Sequence, residues 1–249
     1  QTRMMHQLVW EALEDSGCNT ETYSKKTGIF LGANKDLNWS LHAMLTNDLN
    51  VDLLSKGKLS NPNFMASLIS YKLNFKGPCY FIDTACSTSL STTHLACRSL
   101  LLNECGIAVA GGIRLLSDED NGYNYVDGSI MSNDGHNRSF DSKSSGTIGT
   151  DGAGVVILKR LEEALKDNDN VYAVIKGTAM NNDGSEKAGY TMPSIEGQSE
   201  CVKLAQKIAG VSPEDISYIE AHGTATKIGD PIEIEALNLA FNNDTNNQC

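Results

Sequence analysis

The fold of this chain is restricted most by an alternation of short apolar runs with longer segments of helical periodicity. The apolar runs are residues 29–32, 79–82, 107–110, 155–158, 171–175 and 216–220. Such runs, bounded by Gly, Pro or polar residues, predict buried strands. The helical segments are residues 4–13, 61–73, 87–102, 161–165 and 196–209. This alternation is typical of a layered α/β fold.

Two connections divide the chain. Residues 118–154 are rich in Gly, Asn, Asp and Ser, and a stretch of this length is too long for a simple connection in a compact domain, so we expect an ordered functional loop there. A short charged and Asn-rich segment, residues 166–170, is the most natural boundary between two halves.

The composition excludes several classes of protein. A hydrophobic content of 40% with 20% charged residues predicts a folded core rather than disorder. No stretch approaches the roughly 20 apolar residues of a membrane helix. The start at Gln1-Thr2-Arg3 has neither a secretory signal pattern nor an initiator Met, so we expect a cut end and no membrane anchor. The net charge of −11, without clustered Lys and Arg, argues against nucleic-acid binding.

The cysteines indicate free thiols rather than a metal site or a disulfide framework. Their number is odd, and no C-x-x-C pair is present. The seven are Cys18, Cys79, Cys86, Cys97, Cys105, Cys201 and Cys249. Free thiols suit a reducing compartment, so we predict a cytoplasmic protein without a bound metal.

Cys86 is the cysteine whose surroundings predict chemistry. It lies in the turn between the apolar run 79–82 and the helix predicted for residues 87–102. Unpaired N–H groups and the positive end of a helix dipole favour a thiolate there and can donate to a thioester oxygen. Taken alone, a cysteine after a strand is more often a buried structural residue. We give that structural interpretation to Cys18, Cys79, Cys97, Cys105 and Cys201.

A second candidate is His222, which follows the apolar run 216–220 and is framed by small residues and two hydroxyls. A neutral imidazole in such a loop can donate a hydrogen bond to a carbonyl oxygen and stabilise an enolate. The hydroxyls of Thr224 and Thr226 suit the amides of an extended substrate arm. Without further context, the histidine would be a structural loop residue and the threonines would be helix or turn caps.

Several ordered motifs together resemble the ketosynthase domain of modular polyketide synthases. The first is residues 83–89, DTACSTS, around Cys86. The second is residues 128–141, GSIMSNDGHNRSFD, and the third is residues 220–224, EAHGT, around His222. Gly111-Gly112 and the segments 152–161 and 181–184 fit the same family, so the resemblance covers essentially the whole chain.

The resemblance implies a thiolase-like layered α/β/α/β/α fold of two related halves. Residues 1–168 would form the N-terminal half, with its first part missing, and residues 169–249 the start of a C-terminal half. A homodimer is usual in this family. The domain would bind no cofactor of its own, because its acyl substrates are carried on the phosphopantetheine of an acyl carrier protein.

The resemblance also implies a reaction of the 3-oxoacyl-(acyl-carrier-protein) synthase type, in polyketide or fatty acid biosynthesis. Cys86 would take the acyl chain as a thioester, and His222 would act on a malonyl-type extender that loses carbon dioxide before condensation. A second histidine and a lysine are expected beyond Cys249. The sequence departs from the family at Ala225 and Asp151, where Gly and Glu are commoner, and neither change removes a reacting group.

Two other functions remain open at this point. A Cys86–His222 pair would also suit a thioester hydrolase or a simple acyltransferase, which shares the nucleophile but forms no carbon–carbon bond. A non-elongating, carrier-docking module would keep the fold without the chemistry, although the presence of Cys86 argues against it.

We predict that Cys86 is the one rapidly acylated thiol of the chain, because a strand-to-helix turn stabilises the thiolate. Limiting iodoacetamide or an acyl-thioester mimic should label the peptide that contains Cys86 first, as measured by peptide mass. Equal labelling of Cys97 or Cys201 would contradict the assignment.

Overall fold

The computed structural model describes residues 1–19, 26–45, 52–115 and 122–241. The chain forms two compact units, residues 1–122 with 150–174 and residues 123–149 with 175–249. Residues 118–121 of the predicted loop, and Cys249, lie outside the described residues. The boundary between residues 168 and 169 stays a prediction.

The first unit is a sheet covered by helices. Its strands are β1 (Thr27–Ala33), β2 (Cys79–Phe81), β3 (Ile107–Arg114) and β4 (Gly152–Lys159). Its helices are α1 (Thr2–Asp15), α2 (Leu37–Leu45), α3 (Leu53–Ser60), α4 (Met65–Lys72), α5 (Thr88–Leu101) and α6 (Leu161–Lys166). Within the described residues, no helix is long and apolar enough to cross a membrane.

The sheet has the strand order β2-β1-β3-β4. Strand β1 is parallel to both neighbours, and β3 pairs with β4 in the antiparallel sense. The parallel pairs require crossover connections, which the helices between these strands supply. The α/β prediction is therefore confirmed, and the first four predicted strands are all present.

Alternate residues of β1 face two different apolar clusters, as the pleat of a strand requires. Ile29, Leu31 and Ala33 pack with apolar residues of α1 and α4, whereas Phe30 packs with Ala96 and Leu100 of α5. Because both faces are covered, every residue of β1 is buried. This burial explains why its sequence is a continuous apolar run rather than an alternating one.

The face of the sheet toward α5 is built largely from small residues. Ala108 and Ala110 of β3 belong to the cluster on this face, and Gly32 pairs with Gly112 at the end where α5 begins. A Cβ at Gly32 would collide with the methyl group of Thr88 and the carbonyl oxygen of Ile82. A Cβ at Gly112 would lie 3.4 Å from the Cβ of Ser89, an ordinary contact. The first turn of α5 therefore lies almost directly on the strand backbone.

The other end of α5 is held by the residues that follow β4. The guanidinium of Arg160 donates to the carbonyl oxygens of Leu100 and Cys105, the latter at 3.0 Å. Beside it, the Lys159 side chain is only 8% exposed and pairs with Asp167 and Asp169 at 2.5 and 2.6 Å. Both ends of α5 are thus fixed to the sheet.

The second unit contains α7 (Ile195–Ala209) and α8 (Gly229–Phe241). Residues 123–149 form an irregular loop organised around the buried Ser132. The backbone carbonyl of Ser132 accepts from the Tyr123 hydroxyl at 2.6 Å, and its side-chain hydroxyl donates to Asp134 at 2.9 Å. This part of the predicted long loop is therefore ordered by its own hydrogen bonds.

Two predicted strands, residues 171–175 and 216–220, are not strands in the structure. A strand requires a hydrogen-bonded neighbour, and no other strand lies beside them among the described residues. Their side chains are largely exposed, with Tyr172 at 78% and Tyr218 at 73%. A third correction concerns Gly111 and Gly112, which continue β3 instead of ending it, because both stay paired with β1 on one side and β4 on the other.

Non-glycine residues with a left-handed backbone fall into two groups. Asn74, Asn103 and Asn168 are of the type that tolerates this conformation. Ala85, Phe140 and Ala225 also have positive φ angles, of 53°, 61° and 58°. A left-handed conformation costs such residues roughly 1–2 kcal/mol. Ala85 and Phe140 lie in motifs that carry the resemblance to ketosynthases, and Ala225 directly follows the third of these motifs.

We predict that Gly32→Ala destabilises the protein by about 1–3 kcal/mol, because the added methyl must displace Thr88 or the backbone at Ile82. Gly112→Ala is the matched control on the paired strand position. It should be close to neutral, since its methyl meets only an ordinary contact. Denaturant unfolding measures both, and equal losses would contradict the proposed packing.

Ala225→Gly should change the unfolding free energy little. The substitution stabilises the folded state by about 1 kcal/mol, because it relieves left-handed strain. It destabilises the folded state by roughly 0.8 kcal/mol through loss of a buried methyl group, and further because glycine gives the unfolded chain more freedom. The gain offsets the first loss and part of the second. The buried helical Ala236 has no strain to relieve, so Ala236→Gly should cost about 1–2 kcal/mol. Equal destabilisation in thermal or denaturant melts would show that Ala225 is unstrained.

Candidate active site

Cys86 lies in a short 3₁₀ turn, Ala85–Ser87, that follows β2 and leads directly into α5. The side chain is exposed. Its N–H has no hydrogen-bond partner among the described residues, so it is available to an incoming group. The thiol and this N–H both lie at the positive end of the 14-residue helix α5.

Side-chain oxygens hold the turn before Cys86 in its shape. The N–H of Ala85 donates to Asp83 at 3.0 Å, and the Ser87 hydroxyl donates to the Thr84 carbonyl at 2.9 Å. The Thr88 hydroxyl accepts from the Thr84 N–H at 3.0 Å and donates to the Ala85 carbonyl at 2.8 Å. These bonds stabilise the left-handed conformation of Ala85.

Four of the other thiols have raised pKa values. Burial raises the pKa of Cys97, Cys105 and Cys201. Desolvation also raises the pKa of Cys79, although a hydrogen bond with Ser70 offsets part of the effect. Each of these thiols therefore carries less thiolate near neutral pH than an unperturbed cysteine would.

The loop that carries His222 is held by Glu233 of α8. The His222 N–H donates to one carboxylate oxygen of Glu233 at 2.6 Å, and the Gly223 N–H donates to the other at 2.9 Å. The His222 side chain is exposed, and its imidazole has no hydrogen-bond partner among the described residues. The Glu233 carboxylate therefore holds the backbone of the loop, and neither of these two bonds involves the imidazole ring.

Asp230, in the first turn of α8, holds the same loop at Ala225. Its side chain accepts from the Ala225 N–H at 2.9 Å and from the Phe140 N–H at 2.6 Å. The residue is only 5% exposed, and a carboxylate at a helix N-terminus is favourably placed relative to the helix dipole. A single carboxylate thus holds two left-handed residues that lie 85 positions apart in sequence, at 140 and 225.

The segment around Phe140 also supports Gly223 directly. The Ser139 hydroxyl donates to the Gly223 carbonyl. Gly223 has a φ of +54°, and a Cβ there would lie 3.1 Å from the Ser139 oxygen and 3.2 Å from the Phe140 ring. Glycine is therefore required next to His222 for both conformation and space.

Thr224 and Thr226 are brought together within this loop. Their hydroxyl oxygens are 3.0 Å apart, and the Thr226 oxygen accepts from the Gly229 N–H at 3.0 Å. Thr226 therefore caps the start of α8, which was the structural alternative for this residue. The Thr224 hydroxyl keeps more of its hydrogen-bonding capacity for other partners.

The sequence-predicted residues divide between the units. Cys86 belongs to the first unit, and His222, Thr224 and Thr226 belong to the second. No role was predicted for Asp230, Glu233 or Ser139. The acidic residues at the start of α8 were visible in the motif, but their contacts with backbone N–H groups were not. Within the described ranges, no cluster of His, Cys, Asp or Glu suits a metal ion.

Curated relatives of this chain are polyketide synthases. It is 40% identical over 250 residues to one component of the phenolphthiocerol/phthiocerol polyketide synthase of Mycobacterium tuberculosis, covering 97% of this chain but 17% of that protein. It is 39% identical to probable polyketide synthase 1 of Dictyostelium discoideum, covering 100% of this chain and 8% of that protein. The chain thus spans a small fraction of the length of these relatives.

Solved structures that resemble this chain are ketosynthases of polyketide synthases, and the chain covers a larger share of each of them. Ketosynthase twelve of the bacillaene polyketide synthase from Bacillus amyloliquefaciens superimposes with a TM-score of 0.92 at 35% identity, over 100% of this chain and 44% of that one. The ketosynthase from module 6 of the bacillaene synthase of Bacillus subtilis 168 gives 0.85 at 36% identity, over 100% and 42%. The fold is therefore the thiolase-like α/β fold of ketosynthases.

Two family profiles match nearly the whole chain. Residues 1–164 match the β-ketoacyl synthase N-terminal domain, and residues 172–249 match the β-ketoacyl synthase C-terminal domain. Together with the relatives and the shared fold, these matches show that the chain belongs to the β-ketoacyl synthase family.

Proposed function

We propose that this chain supplies the nucleophile and the enolate-stabilising histidine of a ketosynthase that condenses an acyl group with a malonyl-type extender. The observation that carries the proposal is the turn at Cys86, which lies at the start of α5 and exposes a thiol. The backbone N–H of Cys86 has no partner in the described part of the chain. Family membership supports condensation rather than simple thioester hydrolysis.

In the proposed loading step, the Cys86 thiolate attacks the carbonyl carbon of an acyl thioester. The new C–S bond forms as the bond to the donor sulfur breaks, and the donor leaves as a thiol after it takes a proton. The Cys86 N–H is suited to donate to the oxygen on which charge develops. Small side chains next to Cys86 leave room for the acyl group.

In the proposed condensation, the extender loses carbon dioxide, and the electron pair of the broken C–C bond forms an enolate. His222 donates a hydrogen bond to the enolate oxygen. The enolate carbon then attacks the Cys86 thioester, so that a C–C bond forms and the C–S bond breaks. The thiolate is regenerated, and the product is a β-ketoacyl thioester.

The loop geometry supports this role for His222. Glu233 binds the backbone N–H groups of His222 and Gly223, and Asp230 and Ser139 hold neighbouring backbone groups of the same loop. A preorganised donor stabilises developing charge without reorganising, which is the main advantage of an enzyme site over water. For substrate binding we propose Thr224 and Thr226, with Thr224 the more available of the two.

We further propose an acyl carrier protein as partner, with both substrates on its phosphopantetheine arm and with no cofactor held by this domain. A homodimer and a cytoplasmic location remain predictions of the same kind. Because the chain carries a net charge of −11 and carrier proteins are acidic, the docking surface must be a local basic patch.

In the complete synthase, His222→Ala should still load Cys86 but lose condensation by about 10²–10³-fold, because enolate charge develops only in the extender step. Acyl-enzyme formation is followed by peptide mass and β-keto product by chromatography. His136→Ala is the matched control, since this exposed loop histidine hydrogen-bonds the Asp134 carbonyl of its own loop.

If His222→Ala lost loading and condensation to the same extent, His222 would not be specific to the condensation step. Release of free acid instead of β-keto product by the unmodified enzyme would favour the hydrolase alternative. Failure of Cys86 to load at all would favour the docking alternative.

A further inference from the structure

We infer that Thr88 is a positioning residue that aims Cys86 and its backbone N–H at the thioester. The inference rests on the proposed role of Cys86 as the nucleophile. It goes beyond that role by assigning the geometry of the nucleophile to one side chain, two residues further along the chain, that itself touches no reacting atom.

The hydroxyl of Thr88 is bonded on both sides of the left-handed residue Ala85. It accepts from the Thr84 N–H at 3.0 Å and donates to the Ala85 carbonyl at 2.8 Å. These two groups belong to the peptide units before Thr84 and after Ala85. One oxygen atom therefore restrains the backbone angles of both residues that precede Cys86.

The peptide unit after Ala85 also contains the N–H of Cys86. Because a trans peptide is planar, its C=O and N–H point in opposite directions. The Ala85 carbonyl accepts from the Thr88 hydroxyl and also from the Thr88 backbone N–H. The hydroxyl adds a second restraint on this carbonyl and so helps to set the direction of the Cys86 N–H, which has no partner among the residues that the structure describes. Thr88 thus acts on the thioester oxygen through a single rigid peptide plane.

The methyl group of Thr88 fixes the direction of the hydroxyl. It lies over Gly32 of β1, where even one added carbon would collide with it. A β-branched side chain has few χ1 alternatives, and the contact with the strand removes the freedom that remains. The position of the hydroxyl, and with it the peptide plane at Cys86, is therefore tied to the sheet.

Other hydroxyls near the turn do not make this connection. The Ser87 hydroxyl bonds to the carbonyl and the hydroxyl of Thr84, and the Ser91 hydroxyl bonds to the Thr84 hydroxyl. The Thr93 hydroxyl donates to the Ser89 carbonyl within α5, at 2.9 Å. Thr93 is half-buried like Thr88, so it is a matched control for removal of a threonine hydroxyl from the same helix.

Positioning predicts a particular pattern of rates. Acyl transfer needs the thiol and the N–H to meet one carbonyl group together, whereas alkylation by a small reagent needs only an exposed thiol. Loss of the Thr88 hydroxyl should therefore slow acylation much more than alkylation. A purely structural role would lower both rates together, or neither.

The test uses Thr88→Val in the complete synthase, with an N-acetylcysteamine acyl thioester and iodoacetamide as the two probes of Cys86. Both modifications are followed by mass of the Cys86 peptide. We expect acylation to fall about 10- to 100-fold, the size of effect that a small misplacement of reacting groups produces, while alkylation stays close to the wild-type rate. Thr88→Ser restores the hydroxyl and should recover most of the acylation, and Thr93→Val should leave both rates unchanged.

A parallel fall of both rates in a folded Thr88→Val protein, or unchanged acylation, would overturn the inference. The inference would also be overturned if Thr88→Ser were acylated no faster than Thr88→Val. If Thr88→Val does not fold, Thr88→Ala removes the same side-chain hydrogen bonds. It is judged by the same comparison of the acylation rate with the alkylation rate. Absence of acylation at Cys86 in the wild type would instead reject the proposed function.

Discussion

The contact between the first turn of α5 and the backbone of β1 and β3 is the constraint on which the rest of the Cys86 site depends. Gly32 and Gly112 face each other across the two strands, and Gly32 leaves no room for a side chain beneath Thr88. The helix can approach this closely only because the strand residues beneath it are small. The turn that carries Cys86 is short, and the carbonyl of its left-handed residue, Ala85, accepts from the hydroxyl of Thr88 at the start of α5.

In the second unit, the loop that carries His222 is held by charged side chains instead of by close packing. Asp230 and Glu233 lie three residues apart at the start of α8 and direct their carboxylates to four backbone N–H groups. Each carboxylate satisfies donors that would otherwise be unpaired, one of them on the buried Ala225. Hydrogen bonds to a charged acceptor are roughly twice as strong as neutral ones, which compensates for the strain of two left-handed residues.

The parts of this architecture that could be predicted from sequence are those determined locally. The turn at Cys86 follows from an apolar run and the helix after it, and the four strands of the first unit follow from their apolar runs. Burial explains the runs of β1 and β3, whereas β2 and β4 are only partly covered. The apolar runs 171–175 and 216–220 were wrongly predicted as strands, because composition indicates the tendency to pair but not whether a neighbour is present. The link between Asp230 and Phe140 joins residues 90 positions apart, and no periodicity reports such a contact.

The attachment of α5 at both ends has a mechanical consequence. With its start resting on glycine backbone and its far end held by Arg160, the helix has the stiffness of the sheet, because close-packed interiors transmit displacement instead of absorbing it. Cys86 is therefore a fixed reference point. Under the proposed function, acyl groups of different size would have to be accommodated by the residues around Cys86 and not by displacement of α5.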